Sequence, residues 1–286
     1  MKKKHLSPIL FVLFTLNTFS QDLQPIDSTK WLCTYNYEFL VDSTNKYSLR
    51  NDLMFLQIGS HLSKFSCESF FITDSASYLT QGRNLDINTA VAEVRKSLKG
   101  VRNSTIAMYR IYKNHPGRGM MSFTAFDDKY YKVQQKMVMK WKLDTQKDTV
   151  ILGYTCQRAR ISYAGRDWVA WYSPQIPLAD GPYKFNGLPG LILKIADTKK
   201  LHCFTLNSIK EVTYNQPILV QTGSFEAITA EDYVKAKRID LMRLYGDLSN
   251  GTVISSKEEA KAEAMHRIMT KNNFIEKYKS TEKSTK

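Results

Sequence analysis

Four cysteines and five histidines are the residues of this 286-residue chain whose chemistry would be most distinctive. Zinc sites are built from Cys-x-x-Cys or from closely spaced Cys and His. Cys33, Cys67, Cys156 and Cys203 stand far apart in the chain, so their spacing assigns no metal ligand and no cofactor. His115 precedes Pro116-Gly117 and reads as a turn histidine, His61 sits beside Gly59-Ser60, and His202 and His266 stand alone. No Gly-x-Ser-x-Gly elbow and no His-Glu-x-x-His occurs, so no catalytic residue is assigned from sequence. A triad assembled in space would escape such motifs, which leaves a hydrolase as the lesser alternative. Its signature would be His115 or His202 beside a carboxylate and a hydroxyl in a cleft.

The compartment decides what the cysteines can do. Residues 2–5 read Lys-Lys-Lys-His, residues 9–15 are Ile-Leu-Phe-Val-Leu-Phe-Thr, and the small Ser20 precedes Gln21-Asp22. This is the pattern of a cleaved secretory signal peptide over residues 1–20. Its apolar run is too short to span a membrane, and no later stretch approaches the required length of about 20 residues. The expected mature protein is therefore exported to the periplasm or beyond, with no transmembrane segment. In that oxidising setting the four cysteines become candidate disulfides, with three possible pairings. Short chain closure favours Cys33 with Cys67 and Cys156 with Cys203, and the other pairings stay open.

Composition narrows the class further. With 43% apolar residues, 13 Gly and 8 Pro, the chain is neither disordered nor collagen-like, and it can bury a substantial core. Its formal charge is +14, or +11 without Lys2, Lys3 and Lys4. Between Val94 and Arg166 stand 16 Lys and Arg against Asp127, Asp128, Asp144 and Asp148, so this stretch carries the excess and the remainder is about neutral. Lys132, Lys136, Lys140, Lys142, Arg158 and Arg160 form a candidate basic face for an anionic envelope lipid or an acidic protein. The plainer alternative is a solvated strand face. Export argues against nucleic acid as the partner, and no nucleic-acid motif is present.

The elements that position these residues follow from periodicity. Residues 30–41 and 53–59 read as strands, and 65–73 as the strand that closes a hairpin across Gly59-Ser60-His61. Ile87, Val91, Val94 and Leu98 fall at helical spacing, with Asn84 or Asp86 as cap. From Ser104 to Val212 strands alternate with compact turns. In the run 131–143, Tyr131, Val133, Met137, Met139, Trp141 and Leu143 share the inner face, and Lys132, Gln134, Lys136, Lys140 and Lys142 the outer one. That run is long enough to require a bend. Capping boxes at Thr229-Ala-Glu-Asp232 and Ser256-Lys-Glu-Glu259 start two C-terminal helices. The expected fold is α+β: mainly an antiparallel β meander forming a curved sheet, with one short inserted helix and two C-terminal helices. Residues 21–278 would form a single domain, and 279–286 a flexible tail.

One block is recognisable. Gly153-Tyr-Thr-Cys156, Gly165-Arg-Asp-Trp-Val-Ala-Trp171, Asp180-Gly181-Pro182 and Gly187-Leu188-Pro189-Gly190-Leu191-Ile192 resemble the GLPGLI family, named for the last hexapeptide. Leu56-Gln-Ile-Gly59 and Trp141-Lys-Leu143 are similar to the same family. The resemblance implies an exported protein of a Gram-negative bacterium, with no established activity. The chain departs from that family's pattern at Cys33, Cys67 and Cys203, whereas Cys156 lies within its motif. Physically, Leu188-Pro-Gly-Leu191 suits a type II turn that feeds a buried strand, which gives the motif, with Trp171, Gly181 and Pro182, a structural role. The strand-rich layout is also similar to periplasmic lipoprotein carriers, whose curved sheet encloses an apolar ligand. The expected function is thus a non-catalytic binding or carrier protein for an apolar or amphipathic, lipid-like envelope ligand. The alternative is an accessory protein that partners an outer-membrane receptor or transporter.

Overall fold

The computed structural model describes residues 22–81, 83, 85–101, 109–126, 130–237, 271 and 273–278. The proposed signal peptide, the second C-terminal helix from residue 256 and the tail 279–286 lie outside the described residues.

Strands dominate, as the aromatic and β-branched runs require. They are β1 (Leu23–Ser28), β2 (Trp31–Leu40), β3 (Leu49–Ile58), β4 (Ser63–Cys67), β5 (Tyr109–Lys113), β6 (Met120–Phe126), β7 (Tyr130–Lys136), β8 (Lys142–Ile151), β9 (Tyr154–Tyr163), β10 (Arg166–Ser173), β11 (Leu191–Asp197), β12 (His202–Glu211), β13 (Pro217–Gln221) and β14 (Glu226–Ala227). Twelve of them form one sheet in the order β14-β7-β6-β5-β4-β3-β2-β12-β11-β10-β9-β8, and β1 pairs with β13 separately. Every pairing is antiparallel except β14 with β7. The helices are α1 (Glu68–Thr80), α2 (Ile87–Ser97) and α3, which begins at residue 230. Asp86 caps α2 by accepting from the amides of Asn88 and Thr89, and Thr229 caps α3 by accepting from the amide of Asp232.

Two expectations are corrected. Residues 68–73 are the first turns of α1, so the strand ends at Cys67. Tertiary contacts override the β propensity of Phe70-Phe-Ile-Thr73: Phe71 stacks on Phe55 of β3 at 4.4 Å, and Asp74 reaches Lys64 and Arg110. The run 131–143 divides at residues 137–141, between β7 and β8. The inner and outer alternation persists through the break, with Met137, Met139 and Trp141 half-buried and Val138, Lys140 and Lys142 exposed. Leu143, expected inside, is 53% exposed.

That break determines the shape. β7 and β8 stand ten positions apart in the sheet, roughly 48 Å if it were flat. The six steps of chain from Lys136 to Lys142 reach about 21 Å at most. The sheet must therefore roll until its two ends meet, and Gln135 of β7 donates a hydrogen bond across the seam to the Tyr163 hydroxyl of β9 at 3.0 Å. One bent strand thus serves both ends of the sheet. The core lies inside the roll, where Tyr35, Tyr37, Met54, Phe65, Ile111, Met121, Trp168, Ile195 and Phe204 are at most 3% exposed.

Candidate functional site

The space inside the roll is taken by the chain itself. Of residues 174–190, between β10 and β11, 181–185 are buried throughout, and Tyr183, Phe185 and Leu188, at most 2% exposed, fill it. Phe185 meets the Trp168 ring edge-on at 4.8 Å, and Tyr183 stands edge-on to Tyr109 at 5.6 Å. Tyr183 holds a left-handed backbone, φ +54°, which places its ring among β5 and β12. The hexapeptide closes this plug. Gly190 has φ +148°, and a Cβ there would stand 2.1 Å from the Ser173 carbonyl oxygen, so no other residue fits. The turn is tighter than the expected type II. The Gly190 amide donates to the Leu188 carbonyl at 2.8 Å, a γ-turn bond, while the Leu191 amide turns away to the Ile176 carbonyl at 3.0 Å.

Buried charges pin the plug. Lys113 of β5, 1% exposed, donates to the Asp180 carboxylate and to the carbonyls of Gly181 and Phe185. Burial lowers its ammonium pKa, and Asp180 opposes that shift. Lys184 donates to Glu276 at 2.7 Å, with both side chains buried. A second clasp is Arg166 of β10, which donates to Asp197 at 3.0 Å, to Asn273 Oδ1 at 2.6 Å and to the carbonyls of Phe274 and Ile275. Its planar fork straps residues 273–278 across the end of the roll. Gly165 is required beneath the strap, since a Cβ there would lie 1.6 Å from the Lys277 carbonyl oxygen. None of these pairs was foreseen. Lys113 sits within an expected strand and Arg166 at the end of an expected turn, and their carboxylate partners lie 67 and 31 residues away.

The histidines assemble no triad among the described residues. His202 accepts or donates at Nδ1 with the Tyr37 hydroxyl at 2.8 Å, but it is 1% exposed and opens on no cleft. Burial, followed by the Arg166 charge, pushes its pKa well down and keeps the imidazole neutral. His115 pairs through Nδ1 with the Ser122 hydroxyl at 2.9 Å, and burial and Lys132 lower its pKa. Ser122 is fully buried, and no described carboxylate bonds to His115. His61 sits in the β3–β4 turn, where its amide donates to Asp27. Among the described residues no cluster of three or more His, Cys, Asp or Glu could hold a metal.

All four cysteines are free thiols, which corrects the expected pairing. Cys33 of β2 lies opposite Leu56 of β3, while Cys67 of β4 lies opposite Met54, so the two are separated by a strand and offset along it. Cys156 of β9 and Cys203 of β12 are three strands apart, about 14 Å. Neither separation fits the bridging distance of two cysteines. Proximity in sequence did not carry over to proximity in the sheet.

The six basic residues follow the bent strand and its partner. Lys132 and Lys136 lie on β7, Lys140 in the bend, Lys142 on β8, and Arg158 and Arg160 on β9, where Arg160 faces Lys142 across the ladder. Arg158 is neutralised by Asp144 and lies over the Trp171 ring at 6.0 Å. Lys132 sits 5.5 Å from the Phe225 ring centroid. Lys136, Lys140, Lys142 and Arg160 are exposed. Sequence reasoning missed the apolar residues beside them: Val138, Leu143, Val150 and Leu152 are each more than half exposed.

Comparison with known proteins adds a partial family match. A family model described as "Protein of unknown function (Porph_ging)" matches residues 163–194, which covers β10, the plug and most of β11. No curated protein matches. Among solved structures, two crystal forms of PNGF-II are similar to this chain, with 14% identity over 73% of it and TM-scores of 0.46 and 0.45. The chain spans about a third of the PNGF-II chain, 33% and 32% in the two forms.

Proposed function

We propose that this chain is an exported, non-catalytic protein of the GLPGLI type that works by presenting its outer surface to an anionic component of the cell envelope. The observation that carries this reading is the filled interior. A carrier of the kind expected from the curved sheet would hold an apolar ligand where Tyr183, Phe185 and Leu188 already pack. Expelling that plug would strand Lys113 without Asp180 and Glu276 without Lys184, at a cost of several kcal/mol for each buried charge. Binding is therefore left to the outside, where Lys136 of β7, Lys140 in the bend, Lys142 of β8 and Arg160 of β9 are exposed. Residues 1–20 supply the export signal, and the hexapeptide at 187–192 with the family match around it supports the GLPGLI assignment.

Two measurements test this. Native mass spectrometry on protein purified without detergent should give a clean apo mass, and a stoichiometric apolar molecule would restore the carrier reading. A photoreactive amino acid at position 140 should yield an envelope adduct, lipid or protein, in intact cells. Absence of any adduct from positions 136, 140 and 160 would overturn the proposal.

A further inference from the structure

The edge formed by β8 gathers features that the fold does not use. Nine large apolar side chains are exposed among the described residues, and four of them, Val138, Leu143, Val150 and Leu152, fall within residues 138–152. Leu143 lies opposite Ala159 and Val150 opposite Thr155, an even spacing on β9, so both project from the same face of the hairpin. At its tip the chain reverses through Leu152, φ +51°, and Gly153, φ +82°. Two consecutive left-handed residues make a type I′ turn, whose first position is normally Asn, Asp or Gly. A leucine there bears backbone strain while 54% of it meets water, so the fold gains nothing from it. β10 pairs with β9 as far as Gln157, and beyond it the Thr155 backbone bonds to the Ser173 hydroxyl and the Gln175 side chain, while Leu152 and Gly153 are exposed.

The occupant is indicated by charge and register. Lys136, Lys140, Lys142 and Arg160 are exposed, and the pair Lys142 and Arg160 stands on the face opposite Leu143 and Ala159. Their long stems allow the charged ends to reach around the ribbon. An extended peptide adding to the edge would need a continuous ladder, but the register shifts between Asp144 and Asp148 and interrupts it after three residues. A lipid surface needs no ladder. It requires apolar groups to enter the acyl boundary and cations to meet phosphates, the two signals that stable interfacial binding combines. We propose that the β8–β9 hairpin lies on an anionic lipid surface, with Leu143, Val150 and Leu152 in the acyl boundary and Lys140, Lys142 and Arg160 against the headgroup phosphates. This rests on the outward-facing reading above and names its partner.

The test is sedimentation of the purified protein with vesicles of phosphatidylethanolamine and phosphatidylglycerol, against vesicles of phosphatidylcholine alone. The anionic vesicles should retain the protein and the neutral ones should not. Leu152→Asn places a favoured residue in the turn, so folding is preserved while vesicle affinity falls about tenfold. Leu79→Asn, at an exposed leucine on α1 distant in sequence from the hairpin, should leave affinity unchanged. Equal losses from both variants, or none from Leu152→Asn, would overturn the assignment of the hairpin. Failure to bind anionic vesicles while position 140 still crosslinks a protein in cells would overturn the lipid inference and leave the outward-facing reading standing. Failure of both would remove both.

Discussion

Inside the rolled sheet, Lys113, Lys184 and Arg166 each bond to a carboxylate and are at most 8% exposed, whereas along β8 the cations Lys140 and Lys142 stand in water beside Leu143, Val150 and Leu152. The two regions solve opposite problems. A charge withdrawn from water must be paired or it destabilises the fold, so each interior charge fixes the position of a second segment. Lys113 fixes the plug, Lys184 and Arg166 the strap. The β8 edge holds nothing in place, and its exposed apolar side chains make the folded chain no more stable. The difference separates residues that specify the structure from residues left available for a partner.

The largest effect should come from the strap. Arg166→Ala leaves Asp197 buried without its cation and removes the anchors of Asn273, Phe274 and Ile275. The expected loss is about 3–5 kcal/mol in urea denaturation, and Arg166→Lys should recover little, since an ammonium cannot make four directed bonds at once. A loss below about 1 kcal/mol would mean that the clasp behaves like a surface pair.

Next comes the Lys184–Glu276 pair. Glu276→Leu alone should cost about 3 kcal/mol, because a buried ammonium is left unpaired, while Lys184→Met with Glu276→Leu should return to within about 1 kcal/mol of the parent. Additive losses would show that pairing is not what holds Glu276 inside.

Acid sharpens the same contrast. Burial pushes the Asp74 carboxyl up, but Arg110 and Lys64 outweigh it and hold it below its ordinary 3.8. With the folded value below the unfolded one, its contribution is complete above pH 3.8 and is lost as pH falls through the folded value. The parent should lose stability on that acid limb, and Asp74→Asn should be less stable at neutral pH and flatter below pH 4 in thermal melts.

The smallest effect belongs to the edge. Lys142→Glu should shift stability by no more than about 0.5 kcal/mol, as exposed charges do. A larger loss would place β8 among the structural elements and weaken the division between the two regions.

Much of the architecture was legible because it depends on local alternation. The inner row Tyr131, Val133, Met137, Met139 and Trp141 is correct through the bend, and Asp86 and Thr229 mark the starts of α2 and α3. Where the answer depends on distant partners, local pattern failed. Phe70 and Phe71 look like strand residues until Phe55 and Asp74's two cations draw them into α1. Nothing in Asp180-Gly-Pro182 beyond a turn announces the lysine of β5 that will bond to it. The exposure of Leu143 is equally hidden, since alternation assigns a face but not whether a neighbouring strand covers it.

The strap also sets an order of events. A ribosome delivers this chain from its N-terminus, so Arg166, Lys184 and Asp197 emerge long before Asn273 and Glu276 do. Until those late residues arrive, an arginine and a lysine face an unfinished interior, and native closure of the roll must wait for residues 273–276.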